Sequence, residues 1–315
     1  MHGEWPMRDR QDATIPRGTA DGRMLPLARP DRRRFGARFG DYEVLAPLAN
    51  GGMGGVYLAA HVTTGERVAL KVLDPVFAGQ PEVVARLYAE HAVASRAQHR
   101  GLVAILDAAR NIDRIPYLVM EYLDGETLAT IHQRGRIEIA AVIGFAAQIA
   151  DALAALHAAG VIHCDVKPEN LFVLHDRRWR EWPQLKVIDF GVSRGVDEPA
   201  SESIAGTPAY MAPEQWRGRA EPASDVYALG CVLYELLVGD PPFDGSLPQL
   251  MLAHLEQRAP RPSWLRAQVP LELERLVLRA LAKDPRVRPT MRELAAAFGA
   301  LAGAPLASGT RRMAG

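Results

Sequence analysis

The chain has 315 residues, of which 48% are hydrophobic and 23% are charged, and its formal net charge is zero. This composition is typical of a globular protein with one large domain or two smaller ones, and the balanced charge argues against a strong overall attraction to nucleic acid or membrane surfaces. The N-terminus is too polar for a secretory signal, and no apolar run reaches the ~20 residues that span a bilayer. The only cysteines are Cys164 and Cys231, and we expect reduced thiols in a cytoplasmic protein.

The two ends of the chain lack the apolar periodicity of a folded domain. Residues 1–40 are polar, contain four prolines and include the run Arg32-Arg33-Arg34, so we interpret them as a disordered basic arm. Such an arm could anchor an acidic partner or be a solvated tail, and the sequence leaves both readings open. The small, polar segment 302–315 is predicted to be a flexible tail.

Hydrophobic patterning divides residues 41–301 into a β-rich part and a helical part. Short alternating runs predict strands at 42–48, 55–61, 67–73, 103–109 and 117–121. Apolar spacings of three and four predict helices at 81–97, 139–159, 224–238, 271–283 and 290–301. Ser224 is the expected N-cap of the third of these helices. We therefore expect an α+β fold, in which a small antiparallel sheet with one helix precedes a larger, mainly helical lobe across a cleft near 121–125.

A glycine-rich segment, Leu-Ala-Asn-Gly-Gly-Met-Gly-Gly-Val-Tyr at 48–57, joins the first two predicted strands. Gly51, Gly52 and Gly54 would let backbone N–H groups approach phosphate oxygens without a Cβ in the way. An ordinary hairpin turn would have a similar composition, so this loop alone does not identify a nucleotide site.

Lys71 ends an apolar strand, where a lysine is costly to bury without a partner. The predicted helix 81–97 offers two glutamates as partners, and Glu90 lies in its middle. Glu82 is nearer the helix start, where it could simply favour the helix dipole. Lys71 could also be an edge-strand residue whose ammonium group reaches solvent.

The segment 163–172 reads His-Cys-Asp-Val-Lys-Pro-Glu-Asn-Leu-Phe and is followed by Asp189-Phe190-Gly191. Phosphoryl transfer from a metal–nucleotide complex needs a carboxylate to orient the acceptor hydroxyl, a cation for the moving phosphate and oxygen ligands for magnesium. This segment supplies all of these groups. The order H-x-D-x-K-P-x-N followed by D-F-G resembles the eukaryotic-type Ser/Thr protein kinases, including their bacterial members, over about residues 41–301.

The resemblance implies a bilobal kinase fold, with an N-lobe of about 41–121 and a C-lobe of about 125–301, that uses ATP with Mg²⁺ or Mn²⁺. The implied catalytic residues are Asp165 as base, Lys167 at the γ-phosphate, Thr207 steadying both, and the pair of Lys71 and Glu90. Asn170 and Asp189 are the implied metal ligands.

The same resemblance implies a set of nucleotide-binding residues. The phosphates would lie against Gly51, Gly52, Gly54 and Lys71, and the adenine and ribose against Leu48, Val56, Ala69, Met120, Glu121, Leu123 and Phe172. Ala49 departs from the family pattern G-x-G-x-x-G at its first glycine, which puts the fine positioning of the nucleotide in question.

Cys164 is a second departure, because the family usually has an arginine between this histidine and aspartate. That arginine pairs with a phosphate on the activation segment (residues 189–214), and an uncharged thiol cannot. We therefore expect activity that does not need phosphorylation of Ser201 or Ser203. The resemblance also implies that Glu214 pairs with Arg288 and that Asp225 binds the backbone of the catalytic loop.

Three questions stay open at this stage. The predicted hairpin 175–184 contains two tryptophans and three arginines. If these side chains are exposed they could bind a partner, and otherwise the hairpin could fold back on the protein and have a structural role only. Besides a kinase of protein serine and threonine, the chain could be a nucleotide-binding pseudokinase or a small-molecule phosphotransferase. The substrate, the activating signal and the oligomeric state are not encoded in any recognisable motif.

Overall fold

The structure is a computed structural model that describes residues 34–175, 183–190, 193–196 and 206–303. Most of the basic arm, most of the tail, the tip of the 175–184 hairpin, and Ser201 and Ser203 lie outside the described residues, so the predictions made for them stay predictions.

The N-lobe is an antiparallel sheet with the strand order β1-β2-β3-β4-β6-β5. Its strands are β1 (Arg38–Phe39), β2 (Tyr42–Gly51), β3 (Gly54–His61), β4 (Arg67–Leu73), β5 (Ile105–Arg110) and β6 (Pro116–Glu121). One long helix, α1 (Pro81–Arg96), crosses the lobe. Its residues Val84 and Leu87 pack against Leu73 and Leu118 of the sheet, so the helix is fixed to the strand that carries Lys71.

Strand β1 corrects the expected boundary of the basic arm. It pairs with β2 through Phe39 and Tyr42, although it lies within the segment interpreted as disordered. Phe39 is 2% exposed and contacts the ring of Tyr117 edge-on, with 5.3 Å between the ring centroids. A single buried aromatic residue orders this short strand, which is too short to show a period in the sequence.

The C-lobe is built around two buried helices, α3 (Ile139–Ala158) and α4 (Pro222–Val238). The other helices are α2 (Leu128–Gln133), α5 (Leu247–Glu256), α6 (Pro262–Leu265), α7 (Leu271–Ala280) and α8 (Met291–Gly303). The N-cap of α4 is Glu221, not Ser224 as expected. Because Pro222 takes the first helical position, Ser224 falls at the third position and completes a capping box with Glu221.

Short strands between the helices hold the loops that carry the candidate site. β7 (Gly125–Thr127), β9 (Leu171–Leu174) and β10 (Leu185–Val187) form one small sheet, and β8 (Val161–Ile162) pairs with β11 (Arg194–Gly195). The segment 163–170 runs from β8 to β9, and Asp189 comes two residues after β10. The segment 163–170 therefore ends at β9, which pairs with β10, the strand that precedes Asp189.

Helix α3 corrects the expectation that no segment is long and apolar enough to cross a bilayer. Among the described residues, this helix passes that test by length and composition, with a mean hydropathy of 2.0. Its buried residues include Ile143, Ile149 and Leu153, each at most 1% exposed, and they form the centre of the C-lobe core. The core position of α3 accounts for its composition.

The two cysteines lie within the described residues and form no disulfide, as expected from the sequence. Burial raises the pKa of the Cys231 thiol, which is fully buried in α4. This thiol behaves as a small apolar core residue.

Candidate active site

Lys71, Glu90 and Asp189 meet between the lobes. The ammonium nitrogen of Lys71 lies 2.7 and 2.8 Å from the two carboxylate oxygens of Glu90 and 2.9 Å from Oδ1 of Asp189. Glu90 is 3% exposed, whereas Glu82 is exposed in the first turn of α1. The structure thus places Glu90, and not Glu82, beside the lysine.

Charge and burial act in opposite directions on this cluster. Burial alone would lower the pKa of Lys71, but Glu90 and Asp189 outweigh it and raise that pKa above its ordinary value. Burial raises the pKa of Glu90 to about 7, although Lys71 opposes the change. The lysine therefore stays charged in the cleft, where a cation can meet phosphate oxygens.

Asp165, Lys167 and Thr207 form a second cluster around the catalytic loop. The ammonium group of Lys167 bonds to Oδ2 of Asp165 and to the hydroxyl of Thr207, the latter at 2.8 Å. The Thr207 hydroxyl donates to Oδ1 of Asp165 at 2.7 Å. The side chains of Lys167 and Asp165 are 5% and 11% exposed, so this network holds the carboxylate in a largely desolvated position.

Asn170 links the second cluster to the region where a metal would be bound. Its Nδ2 donates to the backbone carbonyl of Asp165 at 2.9 Å and to Oδ2 of the same residue at 3.3 Å. This leaves the amide oxygen on the opposite side of the group. Within the part of the chain that the structure describes, no group of three or more His, Cys, Asp or Glu side chains could hold a metal ion. A carboxylate and an amide oxygen, completed by phosphates, nevertheless suit magnesium.

The backbone of the catalytic loop is anchored on α4. Asp225 is 1% exposed, and its two oxygens accept the N–H groups of His163 and Cys164, both at 2.9 Å. His157, at the end of α3, approaches the same carboxylate at 2.7 Å. Burial opposes ionisation of Asp225, but these hydrogen bonds and the histidines outweigh it and lower the pKa of the carboxyl. The contact of Asp225 with the loop backbone matches the prediction, whereas His157 was not singled out from the sequence.

The sheet face that carries Lys71 also carries the predicted adenine contacts. Val56 pairs with Lys71, and Ala69 pairs with Met120. Residues directly opposite each other in a sheet share a face, as do residues two apart on one strand. Four residues chosen from motifs, Val56, Ala69, Lys71 and Met120, thus lie on one face of the N-lobe sheet.

The glycine-rich segment forms the tight end of the β2–β3 hairpin. Gly51 pairs with Gly54 across the turn, with Gly52 between them, and Leu48 is an exposed residue of β2. A Cβ at position 54 would lie 2.1 Å from the carbonyl oxygen of Val72, whereas one at position 52 would meet nothing within 4 Å. Glycine is thus required at position 54 because β4 lies so close. From the sequence, this glycine had been explained by phosphate binding alone.

Glu121 makes a side-chain contact that sequence reasoning missed. Its Oε1 accepts from Lys186 of β10 at 2.6 Å and from the backbone N–H of Ala104 at 2.7 Å. The end of the N-lobe sheet is therefore tied to the C-lobe at the predicted hinge, and the half-buried Leu123 packs against the C-lobe core. Lys186 belongs to no motif, so the sequence offered no signal for this pair.

Glu214 and Arg288 form the expected buried pair. Nη1 and Nη2 of Arg288 lie 2.6 and 2.9 Å from the two carboxylate oxygens of Glu214. Ser224 also donates to Glu214 at 2.7 Å. The end of the activation segment is therefore fixed to the base of α4.

Comparisons with known proteins agree with this arrangement. The protein kinase domain family matches residues 42–297, and the chain therefore belongs to the protein kinase family. It is 40% identical over 277 residues to the serine/threonine-protein kinase Pkn1 of Myxococcus xanthus, covering 86% of this chain and 39% of that protein. It is 38% identical over 253 residues to the serine/threonine-protein kinase PknL of Mycobacterium tuberculosis, covering 78% and 62%.

A solved structure shows the same fold. The crystal structure of the Mycobacterium tuberculosis PknI kinase domain superposes with a TM-score of 0.65 at 27% identity, covering 84% of this chain and 98% of that one. The expected bilobal α+β kinase fold is thus confirmed. The chain spans less than two thirds of the length of the curated relatives named above.

Proposed function

We propose that the protein is an ATP-dependent serine/threonine protein kinase. The observation that carries this proposal is a pair of clusters, Lys71 with Glu90 and Asp189, and Asp165 with Lys167 and Thr207. The segments that carry them are joined where the Ile188 N–H donates to the carbonyl oxygen of Asn170 at 2.9 Å. Positioning and charge neutralisation supply most of the rate in phosphoryl transfer, and these clusters provide both.

In the proposed reaction, a serine or threonine hydroxyl attacks the γ-phosphorus, the bond from that phosphorus to the β-phosphate oxygen breaks, and ADP leaves. Asp165 orients the hydroxyl and takes its proton, while Thr207 and Lys167 keep the carboxylate in place. Lys167 and Lys71 offset the negative charge of the phosphates. Glu90 keeps Lys71 aimed into the cleft.

Asp189 and Asn170 would hold the divalent cation, Mg²⁺ or in its place Mn²⁺. The bound ion would neutralise phosphate charge and fix the geometry of the triphosphate. The chain itself orients the donors, since Asn170 is held by Asp165 and Asp189 by Lys71.

Cys164 supports a finer proposal, that transfer does not depend on a phosphate in the activation segment. Cys164 is 5% exposed, and its thiol approaches the carbonyl of Ile162 at 3.7 Å. Single replacement of Ser201 and of Ser203 with alanine should leave the transfer rate unchanged. A large loss that an acidic residue restores would contradict this proposal.

We further infer a cytoplasmic enzyme that acts on protein substrates and needs neither nucleic acid nor a membrane. The balanced net charge of the chain supports the part of this inference that concerns nucleic acid and membranes. The oligomeric state is left open.

The test is transfer of radiolabelled phosphate from ATP to a generic basic protein, with Asp165→Asn as the inactive variant. Asp151→Asn is the matched control, since that side chain is 54% exposed and pairs only with His99 among the ion pairs of the described residues. We expect transfer by the unaltered protein and by the control, and a loss of about 100-fold or more in Asp165→Asn. ATP binding without transfer would instead indicate a pseudokinase. Transfer to sugars or antibiotics alone would indicate a small-molecule phosphotransferase.

A further inference from the structure

Gln215 reaches the catalytic loop from the segment that follows Glu214. It is 4% exposed and begins a short 3₁₀ turn, Gln215–Arg217. Its Oε1 accepts the backbone N–H of Ala212 at 3.0 Å, and its Nε2 donates to the carbonyl oxygen of Cys164 at 2.9 Å. One end of this amide thus binds its own segment, and the other end binds the catalytic loop.

The carbonyl that Gln215 holds belongs to the peptide bond leading into Asp165. Cys164 has φ of 66°, a left-handed conformation that is costly for a residue with a Cβ and persists only where surrounding contacts hold it. Asp225 holds the N–H of Cys164 at 2.9 Å, and Gln215 holds its carbonyl. Hydrogen bonds therefore hold both the N–H and the carbonyl of the strained Cys164, and they fix the plane of the peptide bond that joins it to Asp165.

The segment 206–215 holds the carboxylate of Asp165 as well. Gly206 has φ of 128°, and a Cβ there would lie 3.0 Å from the Cys164 carbonyl oxygen and 3.4 Å from Nε2 of Gln215. The next residue, Thr207, donates to Oδ1 of Asp165 at 2.7 Å. The segment 206–215 thus forms hydrogen bonds both to the main chain before Asp165 and to the side chain of Asp165.

This segment has a rigid base, because Glu214 is bound by Arg288 and Ser224. We propose that Gln215 is a positioning residue for phosphoryl transfer, which fixes the Cys164–Asp165 peptide and so directs the Asp165 carboxylate at the acceptor hydroxyl. This inference rests on the proposed kinase activity. It assigns to Gln215 an effect on the transfer step and none on ATP binding.

Two variants separate the two ends of the amide. Gln215→Leu removes both hydrogen bonds, whereas Gln215→Glu keeps an acceptor for Ala212 and sets a carboxylate oxygen against the Cys164 carbonyl. We expect kcat to fall about 10- to 100-fold in both, because small misplacements of a catalytic group cost that much. KM for ATP should stay within about twofold of the value for the unaltered protein, since contacts that bind ATP equally in the ground state and the transition state are not affected. The control is Gln249→Glu, which adds the same charge at an exposed residue of α5.

The pH dependence of kcat in Gln215→Glu distinguishes a positioning role from a purely structural one. When protonated, the new carboxyl group has the shape of the amide and can donate its O–H to the Cys164 carbonyl. Burial raises the pKa of a carboxyl group, so the ratio of the kcat of Gln215→Glu to that of the unaltered protein should rise as pH falls from about 8 to about 6. The corresponding ratio for Gln215→Leu should not change.

Hydrogen exchange of the amides in 163–170, measured without ATP, provides a readout independent of activity. We expect faster exchange there in both variants and no change in β4. If the unaltered protein transfers phosphate and both variants keep its kcat, the inference is wrong and the proposed function stands. If the unaltered protein transfers none, the proposed function fails and exchange at 163–170 tests the positioning of the loop alone, which unchanged exchange would overturn and faster exchange would support. If Gln215→Leu does not fold, the pH ratio and the exchange of Gln215→Glu decide.

Discussion

Replacing Arg288 with lysine should destabilise the protein even though the positive charge is kept. The Arg288 side chain is fully buried, and each of the five N–H groups of its guanidinium has an acceptor. Two of them bind the Glu214 carboxylate at 2.6 and 2.9 Å. The other three bind the carbonyl oxygens of Ala223, Ala282 and Lys283 at 2.8, 2.7 and 3.0 Å.

The size of the effect follows from counting donors. An ammonium group has three N–H donors, so Arg288→Lys loses at least two of the five hydrogen bonds. Each hydrogen bond lost at this buried site costs about 1–3 kcal/mol, which gives about 2–6 kcal/mol in all. Arg288→Met removes the charge opposite Glu214 and should cost about 3–5 kcal/mol. At about 2–4 °C per kcal/mol for a domain of this size, Arg288→Lys should lower Tm by roughly 4–24 °C.

Thermal unfolding followed by circular dichroism measures this change. Arg286→Lys is the matched control, because this side chain lies two residues earlier, is 86% exposed and bonds to Asp284. We expect the control to leave Tm unchanged. Equal Tm values for Arg288→Lys and the unaltered protein would refute the argument that the five fixed donors hold this junction together.

Two further perturbations test the structure. Burial lowers the pKa of His254 to about 4. Between about pH 6.5 and pH 4, the unfolded state therefore binds a proton that the folded state does not. The free energy of unfolding should decrease by up to about 3 kcal/mol as the pH falls through this range. His254→Asn should flatten this dependence in thermal unfolding measured from about pH 7 to pH 5, and equal slopes would contradict the assignment. Gly54→Ala should lower both Tm and ATP affinity, because its Cβ would meet the Val72 carbonyl, whereas Gly52→Ala should leave Tm unchanged. A normal Tm for Gly54→Ala would show that β3 and β4 can separate without cost.

The fold and much of the site could be predicted because their signals are local in sequence. The strand Arg67–Leu73 and the start of the helix Pro81–Arg96 were predicted at the residues where the structure has them. Asp165, Lys167 and Asn170 lie within six positions, so their spacing alone indicated one site. The Lys71–Glu90 pair required the family resemblance, since periodicity placed both Glu82 and Glu90 on the same helix.

What the sequence did not reveal depends on contacts between distant segments. Strand β1 exists because Phe39 meets Tyr117, 78 positions later. His157 reaches Asp225 across 68 positions, and Glu121 reaches Lys186 across 65. These groups support the site without belonging to any short motif, and each is an unremarkable residue in its own segment.

The proposed function requires that both clusters act on a metal-bound triphosphate. The most direct test measures ATP binding and phosphate transfer by Asp189→Asn at increasing magnesium concentrations. In the unaltered protein, magnesium should strengthen ATP binding and transfer should follow the same titration. In Asp189→Asn, we expect the magnesium dependence of binding to be largely lost and transfer to be abolished, because the carboxylate ligand is gone. Normal turnover with an unchanged magnesium dependence in this variant would contradict the account.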